Sequence, residues 1–330
     1  MLKLIDNGNI FDASVNLAAE EYCVRNLNMD NDYLLLYIND PSVIIGKHQN
    51  TIEEINLDYI NTNGVKVVRR ISGGGAVYHD RGNLNFSFIT RHSHESIHNF
   101  RLFTGPVIKM LKKLGINAEL NGRNDITIEG RKISGNAQFT DTKSMFSHGT
   151  LLFDSNLENV VKALNVRQEK IESKGIKSVK SRVANISEFL KEKISMDEFK
   201  NLLIKTVFEQ YESIPFYKLN EEEWKGINKL SQDKYKSWDW NFGRSPEFNI
   251  QKVNRFPIGQ IDARIHVKDG IIESIKFYGD FLGVGDLSEL ENKLIGKKYD
   301  KNFLSDSLKN VDLKSFFGDL NRDEFISFLI

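Results

Sequence analysis

Apolar residues along the chain change their spacing near residue 156. Before it, short apolar runs are separated by tight turns; after it, apolar residues recur every three to four positions. The first helical signal is early: Asp12 or Ser14 is placed to cap a helix whose inward positions are Val15, Ala18, Ala19, Tyr22 and Cys23. Leu34–Ile38 and Val43–Ile45 read as strands around a turn at Asn39-Asp40-Pro41. Val65–Val68, Leu84–Ile89, Ile126–Ile128, Lys132–Phe139 and Gly149–Phe153 read as further strands. A helix is expected from Pro106 to Leu114, with proline in its first turn and Gly115 as its stop. Helices are also expected over Asn156–Leu164, Met196–Tyr211 and Asn220–Gln232. The pattern breaks at Trp238–Pro246, and a domain boundary is placed between 245 and 246. Beyond it, Ile261–Val267 and Ile271–Phe277 flank Lys268-Asp269-Gly270, a hairpin signature, and two or three short helices close the chain. The expected fold is α+β: a mixed, largely antiparallel sheet with packed helices (residues 1–245), then a small α+β domain (246–330).

Composition adds exclusions. The 330 residues are 40% hydrophobic and 27% charged, enough to bury a sizeable core. Forty-five basic residues balance forty-five acidic ones, which argues against nucleic acid as the main partner. One cysteine, Cys23, rules out an intrachain disulfide and a cysteine metal cluster. No apolar run has the length of a signal peptide core or a membrane span, so a soluble cytoplasmic protein is expected.

Three segments carry candidate chemistry. Arg69-Arg70-Ile71-Ser72-Gly73-Gly74-Gly75-Ala76-Val77-Tyr78-His79-Asp80 offers bare backbone N–H groups, a hydroxyl and two guanidinium groups to an anion. It is neither a P-loop nor a dinucleotide fingerprint, and a glycine triplet alone is equally a hairpin tip. In Gly122–Ile126 followed by Gly130–Ala137, a turn near Glu129-Gly130 brings Asn124 and Asp125 towards the returning strand. There Asp125 is a candidate ligand for Mg²⁺ and Lys132 a point charge for phosphate; solvated hairpin charges are the plain alternative. His148-Gly149-Thr150 heads an apolar strand, where a histidine is usually a satisfied core residue.

Together these segments resemble the lipoate–protein ligase family. The first matches its RRxSGGGAV[FY]HDxGN block through Gly82 and Asn83, the second its GRNDI and G-[RK]-K-[IV]-SG-[NS]-A blocks, the third its HGTLL block. Ser173–Val183 resembles the SKGI-x-SV-x-SRV loop, and Trp240-Asn241-Phe242-Gly243 the end of the family's catalytic domain. Tyr37 stands where some members carry tryptophan, Tyr78 where many carry phenylalanine, and Arg131 where lysine is common.

The resemblance implies a two-step reaction with ATP and Mg²⁺: lipoate forms lipoyl-AMP, and an acceptor lysine then takes the lipoyl group. Implied acceptors are lipoyl domains of 2-oxoacid dehydrogenase complexes or the glycine-cleavage carrier. It assigns Lys132 and Arg70 to catalysis. The nucleotide and adenylate fall to Arg70, Ser72, Gly73, Gly74, Gly75, Ala76, Val77, Tyr78, Asn83 and Lys132. Lipoate falls to Lys132, Tyr37, His79, Ser134, Ala137, His148 and Thr150, and the metal to Asp125 and Asn124. A closing loop falls to Lys174, Gly175, Lys177, Lys180 and Arg182, in a stretch with six basic residues and two acidic.

Four rivals stand beside this reading. His94-Glu95-Ser96-Ile97-His98 is a literal H-E-x-x-H string, which on a stable helix would suggest a zinc protease. Octanoyl transferases of similar fold work through a cysteine thioester, for which Cys23 is the sole candidate. Biotin ligases share the fold and adenylating chemistry but differ in the glycine block. A non-catalytic lipoate-binding protein would not need Lys132, Asp125 and Arg70.

Overall fold

A computed structural model describes residues 1–164, 182–243 and 248–330. The expected boundary at 245/246 lies outside the described residues, as do Lys174, Gly175, Lys177 and Lys180 of the expected loop. Two compact units emerge. One comprises Met1–Ile44, Glu54–Val68 and Val77–Ser237; the other takes in Ile45–Glu53, Arg69–Ala76 and Trp238–Ile330.

The first unit is built on strands β1 (Leu2–Ile5), β2 (Asp32–Tyr37), β3 (Ser42–Ile45), β4 (Lys66–Arg69), β5 (Val77–His79), β6 (Asn83–Arg91), β7 (Ala118–Asn121), β8 (Asp125–Ile128), β9 (Arg131–Thr140), β10 (Ser144–Leu152) and β11 (Phe216–Tyr217). Eight of them form one sheet in the order β11-β1-β2-β6-β10-β9-β8-β7, and β4-β3-β5 form a second. β1 runs parallel to β2 and β11, while the pairings from β2 through β6, β10, β9 and β8 to β7 are antiparallel. The sheet is mixed and largely antiparallel, as expected. Val107, Met110, Leu111, Phe199 and Leu203 pack with Leu34, Phe86, Ile126 and Ile133 into the unit's core.

Helix α1 (Ala13–Asn26) starts where Asp12 accepts the Ser14 amide at 2.9 Å. It is buried on most of its circumference, acids included, so it is an internal helix with no single apolar face. Helix α2 runs Phe100–Lys113, beginning six residues before the expected Pro106 start. Pro106 sits inside the helix, where it lacks an N–H; Phe100 and Phe103 are buried and extend the inward stripe back past it. Gly115 ends it in the left-handed region (φ 78°), its N–H donating to the Lys112 carbonyl at 3.0 Å and that of Ile116 to Leu111 at 2.9 Å. Further on, helices α3 (Met196–Val207) and α4 (Glu221–Leu230) both begin with capping boxes, at Ser195/Glu198 and Asn220/Glu223. α4 runs into a π turn at Ser231–Tyr235.

The second unit carries an antiparallel sheet of β12 (Ile250–Phe256), β13 (Gly259–Lys268) and β14 (Ile271–Gly279). Asp269 (φ 51°) and Gly270 (φ 77°) form the expected hairpin turn. β12 was not expected, because Gln251, Lys252, Asn254 and Arg255 give it little apolar alternation. Four short helices follow among the described residues, rather than two or three: Leu287–Leu294, Lys301–Ser307, Leu313–Phe317 and Arg322–Leu329. Leu290, Leu294, Phe317 and Phe325 pack with Ile261, Ile265 and Phe277 to make this unit's own core. No described helix is long and apolar enough to cross a membrane.

Candidate active site

In the first unit the site is centred on the hairpin of β8 and β9. Glu129 (φ 51°) and Gly130 (φ 74°) make the turn, so β9 returns beside β8. The register slips between Ile126 and Thr127: Ile126 faces Ser134, but Thr127 faces Lys132. This bulge re-aims β9 at Lys132. The Lys132 ammonium lies 2.8 Å from Asp125 Oδ1, and both side chains remain about a third exposed. Its backbone is held too: the Lys132 N–H donates to the Arg182 carbonyl (2.7 Å) and its carbonyl accepts Ala184 N–H (3.0 Å). A rigid strand therefore presents one partly exposed cation beside one carboxylate.

Neighbouring strands place the other candidates. Asn124 and Asn136 bond reciprocally, the Asn136 amide reaching the Asn124 carbonyl at 2.9 Å. Ser134 and Ala137 are buried on β9, and Thr150 on β10 accepts the Gly135 N–H through Oγ1 at 3.3 Å. Asn83 donates to Asn85 (3.0 Å), and Asn85 to the Tyr37 carbonyl (3.2 Å); Tyr37 is itself buried. His79 Nδ1 lies 3.0 Å from Asn39 Nδ2. Because Asn39 Oδ1 accepts from Asn16 at 2.9 Å, its amide nitrogen is the group facing His79. His79 Nδ1 therefore accepts, and a neutral His79 carries its proton on Nε2. Val77 is half-buried and Tyr78 buried; burial, more than its bond from Asn159, sets the Tyr78 phenol and pushes it up.

His148 is a satisfied buried histidine. Its Nδ1 lies 2.9 and 3.0 Å from the two oxygens of Glu20, which is 1% exposed. Sequence reasoning missed Glu20. The available signal was a pair of acids, Glu20 and Glu21, directly between the apolar positions Ala18, Ala19, Cys23 and Val24 of the helix.

The glycine loop belongs to the second unit and differs from expectation in its arginines. Arg70, expected to offer its guanidinium to an anion, is buried and turned onto the loop itself. Its Nη2 donates to the Gly73 and Gly75 carbonyls at 2.7 and 2.8 Å, and its Nε to Ser72 Oγ at 3.1 Å. The guanidinium gathers the loop's carbonyls, because a buried cation with five donors takes the nearest acceptors. Gly74 has φ 92°, and a Cβ there would meet Arg70 Nη2 at 2.9 Å; at Gly75 a Cβ meets nothing within 4 Å. Gly74→Ala is therefore expected to cost about 1–3 kcal/mol of stability. Gly75→Ala should cost no more than about 0.5 kcal/mol. Urea unfolding of the two variants checks this; equal losses would contradict the loop geometry.

Two rival readings fail on placement. Residues 94–98 lie in turns and His98 has φ 60°, so the two histidines of the H-E-x-x-H string do not share a helix face. Among the described residues no group of three or more His, Cys, Asp or Glu is arranged to hold a metal. Cys23 is 0% exposed on α1, and burial pushes its thiol far above the ordinary value, so no thiolate is available there.

Residues 12–208 match the lipoyl protein ligase A/B catalytic domain, and residues 245–329 the bacterial lipoate protein ligase C-terminus. The sequence is 55% identical to the lipoate-protein ligase LplJ of Bacillus subtilis over 98% of this chain and 99% of that one. Among solved structures it is similar to Plasmodium falciparum LipL1 in complex with lipoate (TM-score 0.80, 28% identity, 94% of each chain). It is also similar to a lipoate-protein ligase A bound with ATP (TM-score 0.63, 32% identity, 73% of this chain and 98% of that one). With its motifs, its mixed sheet and both of its matched segments in agreement, the chain belongs to the lipoate–protein ligase family and is a ligase.

Proposed function

We propose that the enzyme condenses free lipoate with ATP to lipoyl-AMP and pyrophosphate. The lipoyl group then passes to a lysine of a lipoyl acceptor domain, of a 2-oxoacid dehydrogenase complex or the glycine-cleavage carrier, with release of AMP. The observation that carries this is the partly exposed Lys132 ammonium, 2.8 Å from Asp125 on a bulged strand. Lipoate carboxylate and α-phosphate repel each other, so the step needs a fixed cation where negative charge accumulates. Lys132 is that cation. The amides of Gly75, Ala76 and Val77 bind the nucleotide phosphates, in a loop shaped by Arg70 and Ser72, with Tyr78 and Asn83 on the strands that follow. Tyr37, His79, Ser134, Ala137, His148 and Thr150 line the lipoyl site. Arg182, whose carbonyl accepts the Lys132 N–H, is the described residue of the expected adenylate set nearest that lysine's backbone.

Asp125 fits a magnesium ion bound in the usual way, by one carboxylate with phosphate oxygens completing the shell, and Asn124 adjoins it. Such an ion would neutralise phosphate charge. Residues 1–245 form the catalytic domain in this reading and 246–330 the accessory domain, in a cytoplasmic protein.

The test is incubation with ATP, Mg²⁺, lipoate and several acceptor domains, weighing each acceptor by intact mass and following AMP. A lipoyl mass increment that requires ATP is the expected result; an increment formed without ATP from an acyl-carrier donor would favour the transferase instead. Cys23→Ser is expected to keep most of the activity, because Cys23 is a packed core residue. Loss of acyl transfer in the folded variant would restore the thioester reading.

A further inference from the structure

Of the two adjacent arginines, Arg69 is the more buried, at 1% exposure, and its partners lie in two separate chain segments. Nη1 donates to the carbonyls of Gly46 (2.9 Å), Lys47 (3.2 Å) and Gln49 (2.6 Å). Nη2 donates to Thr51 Oγ1 at 2.6 Å and to the Asn241 carbonyl at 3.2 Å, and Nε to the Trp240 carbonyl at 2.9 Å. Its backbone is tied as well: its N–H donates to Asn241 Oδ1 and its carbonyl accepts Trp240 Nε1–H, both at 2.8 Å. Trp240 and Asn241 thus address the backbone of Arg69, and Arg69 addresses theirs.

The segment that Arg69 gathers lies directly against the glycine loop. Lys47 N–H donates to the Ser72 carbonyl at 2.9 Å. Gly46 approaches so closely that a Cβ would sit 1.8 Å from the Gly74 carbonyl oxygen. Residues 46–49 form no regular element. Backbone bonds from Gly279 N–H to the His48 carbonyl (2.9 Å) and from Gln49 N–H to the Gly46 carbonyl (3.1 Å) hold them in part. Arg69 supplies side-chain donors to the other three carbonyls, those of Gly46, Lys47 and Gln49. A planar five-donor fork serves the six acceptors around Arg69 in one fixed geometry, whereas an ammonium brings three donors on a flexible stem.

We infer that Arg69 is a second positioning residue of the glycine loop, beside Arg70: it helps fix residues 46–49, whose backbone bears on Ser72 and Gly74 and so on the loop whose Gly75–Val77 amides receive the nucleotide phosphates. This rests on the ligase reading above. Arg69 touches no reacting atom in this scheme. Trp240 and Asn241 acquire a function too, as the far anchor of the same brace.

Arg69→Lys keeps the charge and loses the fork. The expected result is a KM for ATP raised by about tenfold or more, since several buried acceptors lose their donors together. KM for lipoate and for the acceptor domain should stay within about twofold. Hydrogen exchange in the ligand-free protein is the second readout: the Lys47 amide should exchange about tenfold faster. Simple destabilisation would instead lower the active fraction and leave the KM for ATP unchanged. Should Arg69→Lys fail to fold, Trp240→Phe removes the Nε1–H bond to the Arg69 carbonyl, with part of the ring, and leaves the Arg69 side chain intact; about a threefold rise in KM for ATP is expected. Wild-type KM for ATP and wild-type exchange at Lys47 in the folded variants overturn the inference. The exchange measurement needs no substrate, so it judges the brace separately from the ligase reading, which fails if the wild type forms no AMP.

Discussion

Lys132→Ala should lower lipoate-dependent pyrophosphate release by about 10²-fold or more while leaving the fold intact. A preorganised charge aimed at a developing anion contributes on that scale, because it needs no rearrangement as the reaction proceeds. The fold should survive because Lys132 is about a third exposed, and its backbone bonds to Arg182 and Ala184 do not involve its side chain. Removing the ammonium leaves Asp125 without its 2.8 Å partner, in a position solvent can reach, so the stability change stays within about 1 kcal/mol. Lys132→Arg separates charge from placement. It keeps the cation but replaces a compact ammonium, packed beside Gly135, with a longer planar group that places its charge differently. Near-normal pyrophosphate release by Lys132→Ala would remove Lys132 from catalysis. Release restored fully by Lys132→Arg would reduce its role to a general positive field.

The parts of this site that were legible in the sequence are those set by local chemistry. The β8–β9 hairpin was readable because Glu129-Gly130 suits a turn, which returns β9 beside Asp125; the bulge between Ile126 and Thr127 that completes the approach to Lys132 was not. Lys268-Asp269-Gly270 was readable for the same reason, as was Gly115 at the end of α2. What resisted reading depends on partners far along the chain. The Glu20–His148 pair joins residues 128 positions apart, and nothing near either residue announces the other. The carbonyls that Arg69 and Arg70 bond were likewise invisible, since a pair of adjacent arginines does not announce acceptors set by the fold. β12 was missed because an exposed edge strand may carry polar residues on both faces, and the start of α2 because a proline seven residues into a helix looks like its beginning.

Glu21→Ala should destabilise the first unit by about 2–4 kcal/mol, because it strands buried donors that the carboxylate now satisfies. Glu21 accepts from Lys234 at 2.7 Å, Tyr235 Oη at 2.7 Å and Arg25 Nε at 2.8 Å. It thereby ties α1 to the π turn that follows α4. Burial on its own would raise the Glu21 pKa, but Lys234, then Tyr235 and Arg25, outweigh it and hold the carboxyl below its ordinary value. For a carboxyl lowered by folding, the stabilisation is complete above the unfolded value of about 4.3 and drains away as pH falls through the folded value. Wild type and Glu21→Gln should therefore differ by a constant amount from pH 6 to 8, and the gap should narrow below about pH 4. Alkaline pH brings no early loss. Tyr235 is buried beside Glu21, and both effects push its phenol well above 10, so the donor stays protonated. Urea unfolding across this pH range reads the gap directly; a gap that keeps its full size under acid conditions, or is absent at pH 7, would show that Glu21 contributes packing rather than charge.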